Sequence, residues 1–206
     1  MLHKRMLLFS YVTWVGARYM EYVVPIKDIN KIEEIKNILR KSSKRDYCLF
    51  VLGINTGIKA QDLLTLKVED VWENKNPKEF LCIKDRKTGE LVPYYLNIRV
   101  HEALYYYLYD GKLMSEDFLF RSTRDNQPIT RQQAYRIINH AAREVGLQGN
   151  IGTHTLRKTF GYHAYRKGVA ISILMSLFHH TSRSETLKYI GITEEEKNLI
   201  KVDVNL

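Results

Sequence analysis

The sequence predicts a mainly helical domain with one small antiparallel sheet, and three observations point there. Apolar residues recur at helical spacing over most of the chain, punctuated by capping residues and glycines. Two strand-like runs, Phe80-Leu81-Cys82-Ile83 and Leu91-Val92-Pro93-Tyr94-Tyr95-Leu96, flank a stretch of turn formers. Hydrophobic residues make up 45% of the 206 positions and aromatics 11%, enough for a packed core, and no repeat or low-complexity tract divides the chain.

Each element has a local reason. Ile32, Ile35, Ile38 and Leu39 follow Asp28, a residue suited to an N-cap. Tyr47, Phe50, Val51 and Ile54 mark a second helix, which Asn55-Thr56-Gly57 ends. A short third helix carries Leu63, Leu64 and Leu66. The hairpin comes next, with Pro93 assigning its second strand to an edge. A helix from Val100 to Asp110 stops at Gly111. Thr130 with Gln133 forms a capping box for a helix running to about Val145, closed by Gly146. Further helices cover roughly Thr155 to Lys167, closed by Gly168, and the run through Ile171, Leu174 and Leu177, whose apolar residues are expected in the core. Ser182 with Glu185 caps a short helix that delivers Tyr189, and Thr193 with Glu196 opens the last one.

The charge balance narrows the partners. Thirty-two Lys+Arg against 23 Asp+Glu give a net +9, which suits a polyanion such as nucleic acid, although a basic protein that binds nothing has the same composition. Cys48 and Cys82 sit in apolar runs without metal-ligand spacing and are expected to be buried, in a reducing compartment. His3, Lys4 and Arg5 precede an apolar stretch from Met6 to Gly16 that resembles the start of a signal peptide. No small-residue cleavage site follows, and the stretch is too short to span a bilayer. A cytoplasmic protein is expected, with 1–23 as leader or linker remnant and 24–206 as one domain ending in a tail at 193–206.

Several residues suit chemistry on a phosphodiester. His154 and Arg157 are three apart, so a helix projects both from one face. Arginine donates two parallel hydrogen bonds to an oxyanion, and imidazole titrates near neutrality. Tyr189, nine residues after His180, becomes a nucleophile when a base or cation favours its phenolate. Lys87, at a hairpin tip, suits protonation of a leaving oxygen. Each alone is weak, since a single histidine or tyrosine is ordinarily core or surface and this chain has 14 tyrosines.

Their order carries more. Thr153-His154-Thr155-Leu156-Arg157, His179-His180-Thr181-Ser182 with Tyr189, Asn55-Thr56-Gly57-Ile58-Lys59-Ala60-Gln61-Asp62-Leu63-Leu64, and Arg86-Lys87-Thr88-Gly89 with Leu91-Val92-Pro93 resemble four boxes of the tyrosine recombinase (phage integrase) family, from about Val24 onward. The resemblance implies the catalytic-domain fold of these DNA breaking-rejoining enzymes. It also implies strand cleavage by tyrosine attack, a 3′-phosphotyrosyl intermediate, and exchange inside a tetramer on double-stranded DNA, with no metal, nucleotide cofactor or membrane. By position, Tyr189 is the nucleophile, Arg157 clamps the non-bridging oxygens and His154 assists proton transfer from the tyrosine. Lys87 protonates the leaving oxygen, and His180 hydrogen-bonds the phosphate.

Two positions depart from the family pattern. His179 stands in place of a glycine, altering the turn or adding an imidazole to the site. Lys59 stands in place of the first arginine, keeping the charge but losing the planar fork. A slow or conditionally active enzyme and a non-catalytic DNA-binding remnant both follow from that exchange. About 20 residues precede the region of resemblance, where most family members carry a further DNA-clamping domain. The helix after Thr130 is expected to display Arg131, Gln132, Arg136, Asn139 and Arg143, with Arg131 and Arg136 as DNA contacts. The tail is expected to dock on a neighbouring protomer.

Overall fold

In the computed structural model, which describes residues 23–86 and 88–197, the axis of the domain is a helix buried on nearly every side. This is α2 (Lys44–Thr56), in which Cys48 through Gly53 are all buried. Such all-round burial marks a helix enclosed by its neighbours. Around it pack α1 (Ile29–Ser42), α5 (Ile98–Leu108) and α7 (Thr153–Arg166). The other helices are α3 (Ala60–Leu64), α4 (Val68–Val71), α6 (Arg131–Glu144), α8 (Ile171–Phe178), α9 (Arg183–Tyr189) and α10 (Glu194–Lys197). None of the described helices is long and apolar enough to cross a membrane.

Caps set the helix ends. Asp28 accepts from the Asn30 N–H, Thr130 and Gln133 exchange bonds as a capping box, and Ser182 accepts from the Glu185 N–H. Gly57, at φ 67°, ends α2 in the left-handed region. A Cβ there would also collide with the Phe160 ring, so the position requires glycine twice over. Three helices differ from expectation at their boundaries, α3 ending at Leu64, short of the expected Leu66. α5 begins at Ile98 because Asn97 accepts from the N–H groups of Arg99 and Val100. α7 begins at Thr153 because the Thr155 hydroxyl reaches back to the Gly152 N–H.

The expected hairpin is present as β3 (Phe80–Lys84) and β4 (Leu91–Tyr95), antiparallel, with Cys82 opposite Pro93. Both strands are edges, so the proline costs no interior ladder bond. A second two-stranded ladder, β1 (Trp72–Glu73) with β2 (Asn76–Pro77), turns through Asn74 and Lys75, both at positive φ. The single expected sheet is therefore two among the described residues. Cys48 is buried as expected, and burial pushes its thiol pKa up. Cys82 is exposed instead, because strand alternation turns it outward while Leu81 faces the core.

The apolar interior has two parts. The larger runs from α1 and α2 through α5 and α6 to Ile151 and Leu156. The smaller gathers Tyr162 and Tyr165 of α7, Leu174 and Phe178 of α8, and Leu187, Ile190 and Ile192 around α9. Leu177 packs against both. Of the apolar run in α8, Leu174 is buried and Ile171 and Leu177 are half-buried, since the short helix lies at the rim of the smaller core.

The segment before α1 lies along α7. The Ile26 N–H donates to the Thr159 hydroxyl, the Ile26 carbonyl bonds Nε2 of His163, and Lys158 Nζ donates to the Val23 carbonyl. Glu196 of α10 joins the cluster, accepting from Lys27 at 2.8 Å and from the Tyr162 hydroxyl at 2.9 Å. The start of the expected tail thus packs on its own subunit, and 198–206 lie outside the described residues.

Candidate active site

The site forms where α7 passes the ends of α2, α8 and α9. Arg157 is its buried centre, 6% exposed. One guanidinium nitrogen donates to the Gly57 carbonyl at the end of α2, and another to the Leu177 carbonyl in α8 at 2.8 Å. The guanidinium also lies over the Phe178 ring, 4.7 Å from its centroid. These contacts fix the plane of a group whose value for an oxyanion depends on orientation.

Tyr189 is the last residue of α9. Its ring meets His180 edge-on at 4.9 Å and Phe178 at 5.2 Å, and Lys158 Nζ sits 5.0 Å from its centroid. Burial raises the phenol pKa, and the charge and hydrogen bonding of Arg157 pull it back. The sequence's main spatial expectation, a tyrosine beside Arg157, is met within one chain.

The two histidines are held differently. His180 Nδ1 lies 3.0 Å from the Thr186 hydroxyl, which itself donates to the Ser182 carbonyl. A hydroxyl proton given to Ser182 leaves Nδ1 to donate, whereas one given to Nδ1 leaves Nε2 protonated; in both cases the contact fixes the ring. Burial lowers the His180 pKa; Glu185 opposes this, while Arg157 and His179 add to it. His154, exposed in the otherwise buried first turn of α7, has Nε2 2.7 Å from a guanidinium nitrogen of Arg131. Partial desolvation, then the charges of Arg131, Lys158 and Arg157, hold its pKa below the usual value.

Lys59 precedes α3, and its Nζ lies 3.2 Å from Oδ2 of Asp85. The same oxygen is 3.1 Å from Nε2 of His179, the left-handed cap of α8 at φ 59°. The other carboxylate oxygen accepts the Thr88 N–H at 3.1 Å, closing the hairpin turn. Lys87, expected as the general acid, lies outside the described residues. The turn that carries it is also linked to α3 by Arg86 and Asp62, 3.6 Å apart.

Arg131 and Arg136 point to different places. Arg131 stands at His154, whereas Arg136 lines a cleft with Arg45, Arg124 and Gln133. Asn139, expected on the displayed face, is buried and donates to the Ile151 carbonyl at 3.2 Å, anchoring the loop before α7. Sequence reasoning read Asp85 only as a turn former and Tyr94 only as a strand residue. Tyr94 lines a 240 Å³ cleft with Lys59 and Asp85. Burial raises its hydroxyl pKa against the opposing effect of Arg157. Tyr94 therefore joins the Lys59 side of the site to the Arg157 side. Its place on the inward-facing register of β4 was the available signal. No group of His, Cys, Asp and Glu suited to a metal ion occurs among the described residues.

The helical domain that brings Tyr189, Arg157 and His180 together where α7, α8 and α9 meet has the catalytic-domain fold of the tyrosine recombinases. The crystal structure of XerA recombinase superposes with a TM-score of 0.70 at 21% identity, covering 89% of this chain and 64% of that one. The XerH site-specific recombinase, bound to palindromic difH substrate in a post-cleavage complex, gives 0.67 at 19% identity over 86% of this chain and 52% of that one. Residues 26–196 match the Phage integrase family, and the chain belongs to it. The "Probable integrase/recombinase YoeC" of Bacillus subtilis (strain 168) is 42% identical over 176 residues, which is 85% of this chain and 93% of that protein.

Proposed function

We propose that the chain breaks and rejoins double-stranded DNA at specific sites, one strand at a time, through a covalent phosphotyrosyl intermediate. The reading rests on the Tyr189 hydroxyl lying under the influence of Arg157 within a basic protein of the integrase family. The Tyr189 oxygen attacks phosphorus, a Tyr–O–P bond forms, and the bond from phosphorus to the 5′-oxygen breaks. His154 takes up the phenol proton, and Lys87 protonates the departing 5′-oxygen. Arg157, Lys59 and protonated His180 are donors to the non-bridging oxygens, where charge grows in the transition state. A second 5′-hydroxyl reverses the step, so the phosphodiester energy is kept in the protein linkage.

Arg131 and Arg136 contact the DNA backbone along α6 in this reading, and several copies assemble on the DNA for exchange, four in a full complex. The action takes place in the cytoplasm. The test is a labelled, nicked duplex that traps the cleaved state. A covalent protein–DNA adduct is expected from the wild type and none from Tyr189→Phe. Salt-sensitive DNA binding without any adduct would leave a DNA-binding protein in place of an enzyme.

A further inference from the structure

The two departures from the family pattern meet on one oxygen. Lys59 Nζ and His179 Nε2 come from distant parts of the chain and lie 3.2 and 3.1 Å from Oδ2 of Asp85. Asp85 is 6% exposed, and a carboxylate so buried requires donors. The backbone at His179 adds an independent observation. Its φ of 59° and ψ of 41° lie in the left-handed region, where glycine sits without penalty and a side chain with a Cβ does not. A histidine there costs the turn some free energy, which the contact of its ring with Asp85 can offset.

The chemistry of the two donors explains the pairing. A guanidinium offers several N–H groups in a rigid fork, so one arginine can engage a carboxylate and still present donors to a phosphate. An ammonium on a flexible stem makes single bonds and holds its direction less well. We propose that Asp85 is a positioning residue that aims Lys59 at the scissile phosphate, and that His179 supplies the second donor to Asp85 Oδ2 that an arginine at position 59 would supply alone. The exchanges at 59 and 179 then form one unit, a two-residue substitute for a forked side chain. This inference rests on the strand-cleavage reading above.

The test is a cycle of wild type, His179→Gly, Lys59→Arg and the double variant. Adduct formation is followed in single turnover on the nicked duplex, beside DNA affinity and thermal stability. His179→Gly is expected to leave thermal stability equal or higher and affinity unchanged, yet to slow adduct formation about tenfold, as loss of a group orienting a functional residue does. In the Lys59→Arg background the same substitution is expected to change the rate less than about twofold, because the fork makes the imidazole redundant. His179→Gln, whose amide nitrogen replaces Nε2, should recover most of the rate. An equal loss in both backgrounds, or none in the wild-type background, overturns the proposal. Nitrogen NMR of the DNA-free protein reads the contact directly: the His179 ring signals are expected to shift in Asp85→Asn, and unchanged signals overturn the proposal whatever the adduct assay gives. A wild type that forms no adduct defeats the strand-cleavage reading and the aiming role with it, while the NMR response separately decides the shared-oxygen contact.

Discussion

Arg157 and Gly57, a hundred positions apart in the sequence, are joined by a hydrogen bond from guanidinium to backbone carbonyl. The bond ties the end of the central helix to the second turn of α7.

Gly57→Ala tests that junction. A Cβ at this left-handed position would collide with the Phe160 ring, so the loss of stability should be on the order of 2–4 kcal/mol from backbone strain and overpacking. Urea denaturation measures it, and adduct formation should fall with it as Arg157 loses its anchor. A variant as stable as the wild type would show that the turn relaxes freely.

Arg157→Lys separates charge from shape. The ammonium keeps the positive charge but cannot bond the Gly57 and Leu177 carbonyls together and still face the phosphate. A fall of about 10²–10³ in single-turnover cleavage is expected, the usual loss for one oriented oxyanion donor. DNA affinity at fixed salt should change little.

Thr186→Val removes the hydroxyl that sets the His180 ring while nearly keeping its shape. Thr186 is fully buried and bonds both His180 Nδ1 and the Ser182 carbonyl. The stability cost should be about 1 kcal/mol, because the half-buried His180 Nδ1 loses its partner while the Ser182 carbonyl still accepts the Thr186 N–H. Nitrogen NMR is expected to show His180 passing from one neutral tautomer to a mixture, with slower cleavage. An unchanged tautomer would mean that another group orients the ring.

The pH dependence of stability follows from the same histidines. The rings of His154 and His180 titrate below the ordinary value of 6.5 in the folded protein. As pH falls, the unfolded chain therefore takes up protons first. Their stabilisation is complete above about pH 6.5 and is lost below it. Thermal unfolding should show the midpoint dropping between pH 7 and 5, and dropping less in the His154→Gln, His180→Gln double variant. Glu196 acts lower on the scale. Burial raises its carboxyl pKa, but bonds from Lys27, the Thr193 N–H and Tyr162 outweigh that and hold it at about 2, so its contribution fades only as pH falls below about 4.5.

Arg131 and Arg136 should behave differently on DNA. Removing either is expected to weaken binding and to reduce the slope of log affinity against log salt by about one. Arg131→Ala should also raise the His154 pKa, since a neighbouring positive charge is gone. Arg136→Ala should leave that histidine unchanged in an NMR titration.

What could be read from the sequence was what local chemistry decides. The caps at Asp28, Thr130 and Ser182 act within a turn of themselves, and the structure bears out each of them. The pairing of Tyr189 with Arg157 was legible through spacing and family resemblance. The second ladder escaped because its strands are two residues each and its turn needs positive φ at Lys75 as well as at Asn74, a conformation asparagine favours and lysine does not. Asp85 escaped because its two partners arrive from α3 and α8, and no local pattern links a turn aspartate to either. Asn139 has the composition of a base-reading residue and the environment of a loop anchor, and only packing tells the two apart.

The strap laid by Val23 and Ile26 along α7 gives the domain a mechanical input. Displacing that segment strains Lys158, Thr159 and His163, which follow Arg157 within two turns of its own helix. Whatever pulls or presses on the polypeptide ahead of Val23 therefore bears on α7 as directly as on α1.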